Sequence, residues 1–181
     1  MITRLDPAGY RRTPWKNGGG ITIDIAEHED AWRFGRTPIT TPGPFSDYSG
    51  FDRVQVLVSG RGLVLQTPDG EIDVRTPFTP VAFAGETPIV SRLEAGAVEV
   101  VNLIGNRATV RIDLQVLHAG ATLGRSAGTH LAYAAQGPAA LQVEGKPYPL
   151  AADHTLRVEG TSPTMIACTE GLVLVGSILC V

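Results

Sequence analysis

Short stretches of alternating apolar and polar residues, or of four to eight apolar residues together, recur along the chain between breaks rich in Gly and Pro. ITIDIA, RVQVLVS, GLVLQT, PIVSRL, VEVVNLI, ATVRIDLQVL, THLAYAA, AALQV, TMIACT and LVLVGSIL carry the two-residue period and β-branched content of strands. SGRG, TPDG, GETP, EAG, EGK and TEG supply the turns between them. No segment sustains a helical apolar period beyond about two turns. The pattern predicts an all-β protein, with turn signals at the roughly 8–12-residue spacing of a sandwich or barrel.

The turn residues repeat. Gly70, Gly85, Pro88 and Gly96 recur 75 residues on as Gly145, Gly160, Pro163 and Gly171, and VEVVNLI lies over LVLVGSI. Upstream, VLVSGRG lies over YAAQGPA with Gly60 matching Gly137, an offset of 77 that a two-residue change in one hairpin explains. Register kept over a whole half predicts duplication of one β-unit. The expected architecture is a bicupin of two cupin-like β-barrel or sandwich lobes, residues 1–107 and 108–181, with ATVRIDLQVL crossing between them.

Composition narrows the partners. At 181 residues with 43% hydrophobic and 18% charged residues, the chain can bury a core. A net charge of −3 and a pI near 5.8 argue against nucleic acid. No apolar run reaches the length of a membrane span, and the first residues lack the apolar core of a signal peptide, so a cytoplasmic protein with no membrane partner is expected. Cys168 and Cys180 lie in apolar runs and read as two buried thiols. Exposed edge strands of such sheets can pair between copies, which allows a homodimer.

Several chemistries fail at the first residue they need. The four His, at positions 28, 118, 130 and 154, are dispersed. A cupin metal site needs two His two residues apart on a strand, with a Glu and a later His, and RVQVLVSGRGLVLQ supplies none of these, so no metal is expected. There is no G-x-S-x-G elbow, no His beside either Cys, and no G-K-[ST] after NGGG, so neither a catalytic nucleophile nor a nucleotide cofactor is expected.

An anion-reading set remains. In PWKNGGG, Pro14 to Gly20, successive N–H groups of a Gly-rich turn can form a nest for a carboxylate, and Lys16 adds charge. Arg33 or Arg53 could grip the same group through paired hydrogen bonds, with Trp15 or Trp32 as a flat wall. A plain turn ahead of ITIDIA, with surface Arg side chains, fits the same residues. Alternation puts Arg33, Gly35 and Thr37 on one face and Trp32, Phe34 and Arg36 on the other. Arg53 and Gln55 likewise share a face opposite Val54, Val56 and Val58, and a pocket or solvent fits that face equally well. Both Trp and the densest polar clusters fall in the first half. At the repeat offset Asn102 is matched by Ser177, and Arg53 by a residue near His130.

PWKNGGGITIDI, the WR at Trp32 and Arg33, GPFSDYSGFDR, PFTPVAFAGETPI and VVNLIGNR, in this order, resemble the HutD/Ves group of bicupins over about residues 3–117, and more weakly to the end. The resemblance implies two cupin-like barrels without the metal-binding His set. It also implies a non-catalytic sensor or modulator in histidine degradation that binds a small anionic metabolite of the urocanate or N-formylglutamate class. Carried over onto this chain, the ligand-binding residues are Trp15, Lys16, Asn17, Gly18, Gly19, Arg33, Ser46, Arg53 and Asn102. Ser46 could instead cap its own loop. The chain departs from the family pattern at Gly35, Thr37 and Val100. A competing reading is a metal-independent cupin isomerase or lyase acting on a small carboxylate or sugar derivative. That reading needs a general base, for which Asp24, Glu27 and Asp52 are the acids nearest the motifs.

Overall fold

A computed structural model describes residues 1–15 and 18–181. Its strands are β1 Ile2–Leu5, β2 Arg11–Pro14, β3 Ile21–His28, β4 Trp32–Ile39, β5 Gly43–Pro44, β6 Phe51–Ser59, β7 Leu63–Thr67, β8 Gly70–Asp73, β9 Val81–Ala84 and β10 Val90–Leu93. There follow β11 Val98–Asn106, β12 Val110–His118, β13 Thr122–Arg125, β14 Gly128–Tyr133, β15 Ala139–Val143, β16 Lys146–Leu150, β17 Thr155–Gly160, β18 Thr164–Glu170 and β19 Leu172–Cys180. A 3-10 turn, Pro7–Gly9, starts at Asp6, whose side chain accepts from the Ala8 N–H. The all-β expectation holds, and no helix among the described residues is long and apolar enough to cross a membrane.

The chain divides into two compact units, Arg11–Val110 and Met1–Tyr10 with Arg111–Val181. Each holds two sheets. In the first, a six-stranded sheet runs β2-β3-β4-β11-β6-β9 and a four-stranded sheet runs β5-β10-β7-β8. In the second, a five-stranded sheet runs β1-β17-β14-β19-β12 and a four-stranded sheet runs β13-β18-β15-β16. The order β4-β11-β6-β9 is repeated as β12-β19-β14-β17, and β5-β10-β7-β8 as β13-β18-β15-β16. That is the duplication expected from the turn residues, built as paired sheets rather than closed barrels.

Residues 1–10, placed in the first lobe from the sequence, pair instead within the second unit. β1 lies antiparallel to β17, with Ile2 opposite Val158 and Leu5 opposite Thr155. Tyr10 holds the end of that segment, its hydroxyl donating to the Asp153 carbonyl at 2.7 Å and lying 2.9 Å from Thr155 Oγ1. ATVRIDLQVL supplies β12, the edge of the five-stranded sheet. Cys168 is buried, but Cys180, expected buried, is exposed at the last strand residue.

In the Arg11–Val110 unit, Ile39, Leu57, Leu63, Leu65, Val74, Ile89, Val98 and Val100 cluster as a core, with Trp15, Phe45, Val81 and Phe83 packed on its margin. Each fully buried Leu there contributes about 2 kcal/mol of transfer free energy. The margin matters for function, because core side chains stop there and polar ones begin on the same sheet face.

Candidate functional site

Three cross-strand rows of the six-stranded sheet build the site. Across β4, β11 and β6, Thr37 faces Val100, which faces Leu57. Two residues along, Gly35 faces Asn102, which faces Gln55, and then Arg33 faces Ile104, which faces Arg53. Residues paired across a ladder point to the same side, so these rows share one face. Thr37, Gly35, Arg33, Val100, Asn102, Ile104, Gln55 and Arg53 all line one cavity that opens to solvent. Of the two readings that alternation left open for Arg53 and Gln55, the structure takes the inward one.

Gly35 lets the sheet close at this point. A Cβ there would lie 2.8 Å from the Ile23 carbonyl oxygen, so β3 crosses close over β4 at a register shift between Asp24 and Ala26. Beyond it Trp15 Nε1 donates to Thr22 Oγ1 at 3.1 Å, and Thr22 Oγ1 lies 3.2 Å from Thr37 Oγ1. This chain of polar groups and the indole form the β2–β3 wall of the cavity.

The opposite wall is the loop after β5, which brings Phe45, Ser46 and Tyr48 to the cavity. Its backbone is pinned: Phe45 N–H donates to the Ile89 carbonyl at 2.8 Å, Tyr48 N–H to Gly85 at 3.0 Å, and Gly85 N–H to Phe51 at 2.7 Å. A Cβ on Gly85 would sit 2.3 Å from the Tyr48 carbonyl oxygen, so only glycine allows this approach. The pinned loop sets two rings against Arg53. Its guanidinium carbon is 5.1 Å from the Phe45 ring centre, 5.4 Å from Tyr48 and 5.1 Å from Phe83 on β9.

Arg53 is the unusual group. It is 7% exposed, and its one side-chain hydrogen bond among the described residues, Nη2 to Asn102 Oδ1 at 3.2 Å, goes to a neutral amide. Among the described residues its Nε has no hydrogen-bond partner and no carboxylate pairs with it. Burial pulls the guanidinium down to about 10, with Tyr48 opposing. The rings offset part of the desolvation through cation–π attraction, of order 1–2 kcal/mol each at most, but cannot replace a counter-anion. Gln55 beside it is 0% exposed, and neither its Oε1 nor its Nε2 has a partner among the described residues.

Arg33 differs. Its Nε lies 3.6 Å from Asp24 Oδ1 and 3.5 Å from Glu27 Oε2, so two carboxylates already balance it at the cavity rim. Asp24 also accepts from Thr13 Oγ1 and from Arg11 Nη2 at 3.3 Å, and Arg11 reaches Glu27 as well. Asp52 accepts from Arg107 Nε at 3.0 Å and, like Asp24 and Glu27, does not line the cavity. The three acids considered as general bases are therefore held by arginines away from it. No described lining residue is a carboxylate, an imidazole, a lysine or a thiol.

Of the residues chosen from sequence, Trp15, Arg33, Ser46, Arg53 and Asn102 line the cavity. Gly19 lines an adjoining recess that shares Trp15, Ile39, Pro44 and Phe45 with it. Gly18 lines neither, and its N–H donates to the Trp15 carbonyl at 3.0 Å while Trp15 N–H donates to Gly20. That N–H is spent on closing the β2–β3 hairpin and not on an anion nest. Lys16 and Asn17 lie outside the described residues. The choice missed Gln55, Tyr48, Phe45, Thr22 and Thr37, although strand parity had already paired Gln55 with Arg53 and Thr37 with Arg33.

The five motifs converge here: Trp15 and Thr22 from the first, Arg33 from the second, Phe45, Ser46, Tyr48 and Arg53 from the third and Asn102 from the fifth line the cavity, while Phe83 and Gly85 from the fourth back Arg53 and the loop. No group of three or more His, Cys, Asp or Glu among the described residues is placed to hold a metal ion, and the β6 residues that line the cavity are Arg53 and Gln55. These side chains do not fit a metal ion.

A model of the HutD family matches residues 7–175. A Pseudomonas putida relative, named as an uncharacterized 21.2 kDa protein in the hutC 3′ region, is 32% identical over 167 residues, 88% of each chain. The crystal structure of a conserved protein of unknown function from Pseudomonas aeruginosa PAO1 superposes with a TM-score of 0.89 at 27% identity, covering all of both chains. HutD from Pseudomonas fluorescens SBW25, solved in a formate condition, gives 0.84 at 26%, again over all of both. Salicylate 1,2-dioxygenase from Pseudaminobacter salicylatoxidans, at 0.63 and 7% identity over 93% of this chain and 83% of the enzyme, shows the cupin fold alone.

Proposed function

The chain belongs to the HutD family, and on that premise, which links it to histidine utilisation, we propose that the Arg11–Val110 cavity binds a small carboxylate metabolite of histidine breakdown. Urocanate and N-formylglutamate are the class that fits. The protein holds the metabolite unchanged, and its occupancy modulates histidine degradation. The observation that carries this reading is Arg53, a buried guanidinium ringed by Phe45, Tyr48 and Phe83 with no carboxylate partner among the described residues. A carboxylate entering from solvent completes the ion pair, whose strength in a water-poor cavity offsets the cost of burying the charge. Trp15 and Tyr48 offer flat apolar surface to the rest of the molecule. The described lining residues supply cations, amides and hydroxyls but no carboxylate, imidazole or lysine to act as a general base, which favours holding over turnover.

Calorimetric titration with urocanate, N-formylglutamate and histidine, on the native protein and on Arg53→Met, tests it. Saturable binding of either of the first two, lost in the variant, is the expected result. No heat from either, or equal affinity in the variant, overturns the reading.

A further inference from the structure

We propose that Gln55 is the selectivity residue of this cavity: it reads a neutral group on the ligand that both donates and accepts hydrogen bonds, carried by the molecule whose carboxylate meets Arg53. This rests on the carboxylate reading above. Gln55 is fully buried and lines the cavity, and its Oε1 and Nε2 are both unpartnered among the described residues. A buried amide with neither atom satisfied is costly to keep, so its retention calls for a partner that arrives with the ligand.

The second unit shows that the fold itself does not require the vacancy. The ladder that sets Gln55 opposite Asn102 sets His130 opposite Ser177 in the duplicated strands. There His130 Nδ1 lies 3.0 Å from Ser177 Oγ, and Nε2 lies 3.0 Å from the Ser126 carbonyl oxygen, so the equivalent side chain is bonded at both ends. Among the described residues, only in the unit with the cavity is this position left unmet.

The chemistry of the missing partner follows from the amide. Gln offers two N–H donors and one carbonyl acceptor side by side, so its complement presents an acceptor next to a donor: a carboxamide, or a ring with N and N–H. A carboxylate placed against Gln55, as opposed to elsewhere on the ligand, would leave Oε1 unmet and set a negative charge beside its lone pairs. The nearby Arg33 is already engaged by Asp24 and Glu27, and Asn102 Oδ1 accepts from Arg53. An apolar group would leave both atoms of Gln55 unmet. Arg53 and Gln55 are two residues apart on one strand face, about 6.6 Å along β6, so a short carbon chain separates the two ligand groups.

The test titrates native protein and Gln55→Leu with three isosteric sets: succinamate and glutaramate, succinate and glutarate, 4-methylpentanoate and 5-methylhexanoate. The native protein is expected to favour the monoamides at least about tenfold over both other sets, and the variant to lose that preference while still binding carboxylates. Without ligand, Gln55→Leu is expected to melt at or above the native temperature, because an unmet amide has been removed. Equal native affinity across the sets, or preference for the dicarboxylates, overturns the inference and leaves the carboxylate reading standing. A variant that melts well below native also overturns it, by showing the amide already bonded. No binding of any probe by the native protein overturns both.

Discussion

Gln55 and His130 occupy equivalent places in the duplicated sheets, each opposite the residue that the 75-residue offset matches, Asn102 for one and Ser177 for the other. The offset read from turns alone sets Arg53 against a residue near His130. The ladders move the match by two residues and place Gly128 at the Arg53 position. One copy therefore holds a buried cation and an unmet amide beside a cavity, and the other holds a glycine and a fully bonded imidazole.

Arg53 answers to geometry as well as charge. Arg53→Lys keeps a cation but loses the planar fork that lies against three rings and spans a carboxylate. The expected outcome is at least about tenfold weaker binding of urocanate or N-formylglutamate than native, a loss of ~1.4 kcal/mol or more, measured by calorimetry. A lysine variant binding as tightly as native would show that charge alone suffices.

The fold was readable because its signals are local. Turn glycines and period-two runs mark β6, β7, β11, β14, β15 and β19, the strands that carry most of the buried Leu and Val. The strands left unmarked are mostly short or at sheet edges, such as β1, β2, β8 and β13, each of four residues. β17 was missed as well, because TLRVEG has too few apolar residues for its six positions to stand out. In the site, parity put Arg53 with Gln55 and Arg33 with Thr37, but the direction of the face depends on which strands pair across thirty or more residues. Tyr48 and Phe45 were hidden for a different reason: a loop reaches Arg53 only because Gly85 admits the Tyr48 backbone.

Arg33→Ala separates the two arginines. Because Asp24 and Glu27 already balance Arg33, its removal is expected to weaken ligand binding less than tenfold. It should cost roughly 1–2 kcal/mol of stability, by depriving the buried Asp24 of a cation. Urea unfolding and calorimetry on one preparation measure both. A complete loss of binding with unchanged stability would assign Arg33 directly to the ligand.

Gly85→Ala tests whether the aromatic wall depends on the pinned loop. The added methyl meets the Tyr48 carbonyl at 2.3 Å and the Phe51 carbonyl at 2.8 Å, so the loop must move. A destabilisation of about 1–3 kcal/mol is expected, together with weaker carboxylate binding as Tyr48 and Phe45 leave Arg53. Gly50→Ala is the control for backbone strain without a clash, since nothing lies within 4 Å of a Cβ there although φ is 85°. It should lose stability while keeping affinity. Loss of affinity in the control and not in Gly85→Ala would refute the role given to the loop.

His130 gives the second unit a pH dependence of known sign. Burial holds its imidazole below the ordinary 6.5, against the hydrogen bond to Ser126, and Arg125 pushes in the same direction. A folded value below the unfolded one means that the unfolded chain binds the proton more readily. Its contribution is therefore whole above about pH 6.5 and is lost as the pH falls from there through the folded value. Replacing the residue with Gln keeps a hydrogen-bonding side chain and removes the titration. Thermal melts of native protein and His130→Gln from pH 8 to pH 5 should run parallel above pH 6.5 and converge below it, as the native protein loses stability faster. Curves parallel throughout would mean that the imidazole takes up its proton inside the fold as easily as outside it.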